Sequence, residues 1–91
     1  MTLNDTMDVL NIIIEHDLNK IEVSIFQESI LLSLSSNEFV LNNHNLQYKN
    51  KVTRQYINKC ISNLEIKGIL EKVGTHGKQI QYKFVEGVFN A

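Results

Sequence analysis

Along residues 53–67, Ile57, Ile61 and Leu64 recur at helical spacing, while Arg54, Gln55, Asn58, Lys59 and Ser62 occupy the remaining positions. That pattern predicts an amphipathic helix with one dry stripe and one positive, hydrogen-bonding face. Thr53 stands where a cap belongs, and Gly68 follows the last periodic residue, where a left-handed stop is easiest. Past Gly68 the period changes to two. The runs ILEKV (69–73) and QIQYKF (79–84) predict strands, joined by the flexible loop Gly74-Thr75-His76-Gly77-Lys78.

Upstream, residues 2–15 predict a helix with Leu3, Met7, Leu10 and Ile14 on one stripe and Thr6, Val9 and Ile13 widening it. So broad an apolar face needs a cover, which a second copy of the same helix would supply. Residues 16–20 form a polar break. The next helix is expected to start at Ser24 with a reciprocal cap from Gln27, to bury Phe26, Ile30, Leu31 and Leu34, and to end near Ser36. A competing register, ranked second, makes 3–15 the scaffold helix and 21–24 a small strand. Residues 38–41 read as a short strand that adds a third rung to the hairpin sheet. Asn42 caps a polar helix over 43–49, with Leu46 in the core and Tyr48 or the stem of Lys49 beside it, and Asn50 tolerates a left-handed turn. Val88 and Phe89 in the tail are apolar enough to return and cover an open face.

The segment 41–73 resembles the winged helix-turn-helix superfamily of DNA-binding regulators. The run LNNHNLQYKNK is similar to that superfamily's first helix and turn, and VTRQYINKCISNLEIKGILEKV to its recognition helix running into the wing. Leu46, Val52, Ile57, Ile61 and Leu64 fall at the inward positions of that pattern. The resemblance implies an α+β, mostly helical fold: a winged helix-turn-helix with an additional N-terminal helix. It implies one domain over 1–91, with a winged-helix core over 22–85 and a dimerisation element over 1–17 built on Leu3, Met7, Leu10 and Ile14. Glutamine, asparagine and lysine at 47, 50 and 51 depart from the small residues and glycine that the superfamily prefers in its turn.

Charge sharpens the functional expectation. The formal net charge is -1, which alone discourages a polyanion partner. Its distribution does the opposite: residues 1–48 carry one lysine against seven carboxylates, and residues 49–83 carry eight cations against two. A basic face toward double-stranded DNA accounts for that split. The helix over 53–67 would then enter the major groove, with Arg54 on a phosphate or a guanine, Gln55 and Asn58 suited to adenine, and Lys59 reaching either base or backbone. Thr53, Tyr56 and Ser62 are secondary contacts on that helix. Lys49 and Lys51 border it, and His76 and Lys78 in the wing over 74–79 approach the adjacent minor groove or its phosphates. The protein would act as a dimeric transcriptional regulator, such as a repressor. The other reading is a protein–protein module on the same scaffold, such as a small phage or plasmid inhibitor or an accessory subunit, which the acidic first half favours.

Other chemistry finds little footing. The three histidines lie in separate segments without ligand spacing, and one cysteine makes neither an internal disulfide nor a zinc cluster. Cys60 beside the dry stripe reads as a small buried hydrophobe. No enzymatic activity, metal or cofactor is expected. No apolar run reaches membrane-spanning length and no secretory signal pattern opens the chain, so the expected location is the cytoplasm.

Overall fold

The three helices that follow residue 19 begin and end on local chemistry that neighbouring residues supply. The computed structural model describes residues 3–89, with side chains from Asp8 onward. It contains four helices, α1 (Leu3–Glu15), α2 (Lys20–Ser33), α3 (Asn43–Asn50) and α4 (Arg54–Ile66), and three strands, β1 (Phe39–Val40), β2 (Leu70–His76) and β3 (Gln79–Phe84). Roughly half the chain is helical, and the strands form one antiparallel sheet in the order β1-β3-β2.

The start of α2 differs from the expected one. Asn19 is its cap: the Glu22 amide donates to Asn19 Oδ1 at 2.8 Å, and the Asn19 amide donates back to Glu22 Oε1 at 3.0 Å. This reciprocal box captures two orphan donors at once, so it outcompetes Ser24 with Gln27, and Ser24 lies buried inside the helix. It also removes the competing register, since 21–24 is helical. The helix ends at Ser33, and Ser33 Oγ donates to the Ile30 carbonyl at 2.7 Å. Ile25, Phe26 and Ser29 face the core, whereas Leu31 and Leu34 are 62% and 64% exposed, against expectation. An apolar run with hydrophobes on every side of a helix does not reveal which side is covered.

At the other end of α4 the chain makes a Schellman stop. The Gly68 amide donates to Glu65 and the Ile69 amide to Leu64, both at 3.0 Å, with Gly68 at φ 78°. Ile69 and Leu64, the hydrophobic pair that accompanies this motif, are both fully buried. The end of α3 has the same 6→1 bond, from the Val52 amide to the Gln47 carbonyl at 3.2 Å, but Lys51 holds the left-handed position at φ 56°. Asn50, expected there, is the last helical residue instead; its Nδ2 donates to the Leu46 carbonyl at 3.0 Å and to Ser24 Oγ at 3.1 Å, which ties α3 to α2. Tyr48, expected near the core, is 82% exposed.

The hairpin is longer in strand and shorter in loop than its composition suggested. β2 runs through Gly74, Thr75 and His76, with a bulge between Lys72 and Gly74, and only Gly77 and Lys78 turn the chain. Gly77 takes φ 64°, the positive value that tight two-residue hairpin turns require. β1 pairs with β3 through Phe39–Tyr82 and Val40–Gln81, supplying the third rung.

Phe26, Leu46, Ile57, Leu64, Ile69 and Leu70 belong to one buried cluster with Ile12 and Tyr82. Phe84 is the hub of an aromatic group, 5.9 Å from Phe26, 5.9 Å from Phe39 and 4.9 Å from Phe89. The tail therefore does return, through Val88 and Phe89, to cover the open side of β3 and α2.

One ion pair locks α4 to α2. Lys67 Nζ lies 2.9 Å from Glu22 Oε1, and Glu22 is only 2% exposed. Burial opposes ionisation of Glu22, but the Asn19 amide, the Lys67 ammonium and Asn63 together outweigh it and hold the carboxyl below its ordinary range.

Candidate nucleic-acid interface

The turn of the α-helix sorts the polar residues of α4 into three sides. Ile57, Cys60, Ile61 and Leu64 are buried. At 3.6 residues per turn the stripe opposite them is Gln55, Lys59 and Ser62, all exposed, with Ile66 continuing it. Arg54 and Asn58 fall on one flank and Tyr56, Asn63 and Lys67 on the other. The second flank faces the start of α2, where Lys67 meets Glu22. Cys60 lies on this side of the core, and burial, with the Glu22 charge, pushes its thiol up.

The first flank opens on a groove of about 410 Å³ between α4, the start of α3 and the hairpin tip. Arg54 and Asn58 line it from α4, Asn43 and His44 from α3, and Lys78 and Gln79 from the hairpin, over a floor that includes Leu41, Ile61 and Tyr82. No carboxylate lines it among the described residues. The two helices are joined across its edge by Asn43 Nδ2, which donates to Asn58 Oδ1 at 2.8 Å, while within α3 Gln47 Nε2 donates to Asn43 Oδ1 at 2.7 Å. Thr53 is engaged as the α4 cap, accepting from the Tyr56 amide at 3.1 Å.

Of the residues singled out in the sequence, Arg54, Asn58 and Lys78 come together in the groove, while Gln55, Lys59 and Ser62 share the outward stripe. Lys49 and Lys51 are exposed at the far end of α3, and His76 is exposed on β2, paired with Gln79; none of the three lines the groove. Tyr56 is partly covered and turned toward the Cys60 side, away from the outward stripe. Leu10 and Ile14 on α1 are 50% and 74% exposed, and the side chains of Leu3 and Met7 lie outside the described residues. Sequence reasoning missed Asn43, His44 and Gln79. The signal was present in NNHN at 42–45, too polar for a helix whose only task is to pack.

No protein-family model matches the chain, and no curated protein matches it. Among the described residues no helix is long and apolar enough to cross a membrane, and no three His, Cys, Asp or Glu side chains gather as a metal site.

Proposed function

We propose that this chain is a winged helix-turn-helix protein that binds double-stranded DNA as a dimer and serves as a cytoplasmic transcriptional regulator. The observation that carries the reading is the exposed side of α4. Gln55, Lys59 and Ser62 stand clear of the domain, Arg54 flanks them, and the single carboxylate of that helix is Glu65 near its far end. A helix with cations and amides in its first two turns and no early acid matches what a phosphate-walled major groove accepts. The succession α2, β1, α3, α4, β2, β3 supports the same reading, as does the short connection between α3 and α4. Leu10 and Ile14, apolar and uncovered on α1, support pairing with a second copy, which would join two recognition helices on two half-sites.

The test is selection from a pool of short duplexes at two salt concentrations, with Arg54→Ala/Lys59→Ala protein in parallel. An inverted-repeat motif, weakened by salt and absent from the variant's selection, is the expected result. No enrichment with the unaltered protein would refute DNA recognition and leave the same scaffold as a protein-binding module.

A further inference from the structure

The groove between α4 and the hairpin tip differs in its chemistry from the outward stripe of the same helix. Its rim carries two cationic side chains and no carboxylate among the described residues. Arg54 and Lys78 reach it from two separate elements, and the His44 imidazole joins them from α3. Asn58 joins this set because its carbonyl oxygen already accepts from Asn43, so that its Nδ2 is the group left to donate. A phosphodiester is an anion with acceptors only, so a rim with two cationic side chains and no carboxylate matches it. An adenine edge in the major groove presents a donor and an acceptor side by side and needs both ends of an amide. The volume, about 410 Å³ and open to solvent, accommodates a phosphate with its flanking sugars.

Helical geometry gives the complementary half of the argument. The side chains that project straight away from the buried stripe are Gln55, Lys59 and Ser62, while Arg54 and Asn58 lean toward the hairpin. A base edge at the floor of the major groove is reached by the first set. The second set reaches the groove wall, where the backbone runs.

We infer that this groove seats the phosphodiester backbone of one DNA strand between Arg54 and Lys78, and that base readout belongs to Gln55, Lys59 and Ser62. The inference rests on the duplex-binding reading above. It assigns Arg54 to the backbone instead of guanine, and it sends Lys78 to the same strand as α4 instead of the neighbouring minor groove.

Arg54→Gln and Lys78→Gln, made separately, test it, since both side chains lie at an open rim and circular dichroism will verify the fold. Each substitution should lower the salt slope of duplex binding by about 0.9, so that affinity falls roughly 3.5-fold less between about 50 and about 200 mM salt. The selected motif should be unchanged in both, whereas Gln55→Ala should relax or shift one position of it. A changed base preference in Arg54→Gln, or an unchanged salt slope in Lys78→Gln, overturns the assignment. Titration of the unaltered protein with the thymidine dinucleoside monophosphate, followed by amide NMR, separates the two failures. Shifts at Arg54, His44 and Lys78 without duplex binding would support the phosphodiester seat and refute the duplex reading; no shifts there would overturn the seat.

Discussion

Replacing Lys67 by methionine should cost more stability than replacing its partner Glu22 by glutamine. At 2.9 Å the two charges attract by about 6 kcal/mol at an effective dielectric of about 20, before the cost of removing them from water is subtracted. The partners differ in that cost: the Glu22 side chain is 2% exposed and that of Lys67 is 28% exposed. Lys67→Met leaves a buried carboxylate with the Asn19 amide and Asn63 as its remaining support, a loss of about 3 kcal/mol, at the low end for a broken buried pair because water is close. Glu22→Gln keeps an acceptor for the Asn19 amide and lets Lys67 turn to solvent, a loss of about 1 kcal/mol. For a domain of this size those losses lower Tm by about 15 °C and about 5 °C. Because the folded carboxyl titrates below its ordinary range, its contribution is present above the unfolded value and disappears as pH falls through the folded one. The Lys67→Met penalty should therefore shrink between about pH 7 and about pH 3.5, once the stranded carboxyl takes up a proton. Urea unfolding of the three proteins at both pH values measures this. Equal losses at neutral pH, or a penalty for Lys67→Met that ignores pH, would refute the argument.

Three further outcomes follow from the geometry. Lys51→Gly should stabilise the fold by about 0.5–1 kcal/mol in urea unfolding, since it relieves a side chain at φ 56°, and it should weaken DNA binding only by one charge. Phe89→Ala should destabilise by about 3 kcal/mol, the low end for a phenylalanine because the ring is only partly buried, with the near-ultraviolet signal of the Phe26–Phe84–Phe89 group reduced. Ile14→Glu, at a position 74% exposed, should leave the helical circular dichroism unchanged while converting a dimer to a monomer in analytical ultracentrifugation; a dimer that persists would place the pairing surface elsewhere.

What could be read in advance was whatever depended on neighbours in the chain. Thr53, Asn42 and Gly68 sit at the helix ends where their side chains or lack of one suggest, and the stripe Ile57-Ile61-Leu64 is buried. Where two local solutions competed, the choice was lost: Asn19 with Glu22 and Ser24 with Gln27 are both valid caps, and the pair reinforced by Lys67, forty-five residues away, prevails. The left-handed residue after α3 is a lysine because Asn50 is needed to bind Ser24 on another helix. Leu31 and Leu34 are exposed although their spacing suggests the inside, because an apolar run carries no mark of which side is covered. The groove was illegible for the same reason: Asn43, His44, Arg54 and Lys78 are scattered along the sequence, and only the docking of α3, α4 and the hairpin makes them neighbours.

The single thiol of this chain also makes it its own stopwatch. Cys60 is 1% exposed on the inner side of α4, and burial keeps its reactive thiolate scarce. An alkylating reagent gains access when that helix parts from α2, so the labelling rate under native conditions counts those partings. With no second cysteine to blur the signal, the unmodified protein reports how often its proposed reading helix lets go.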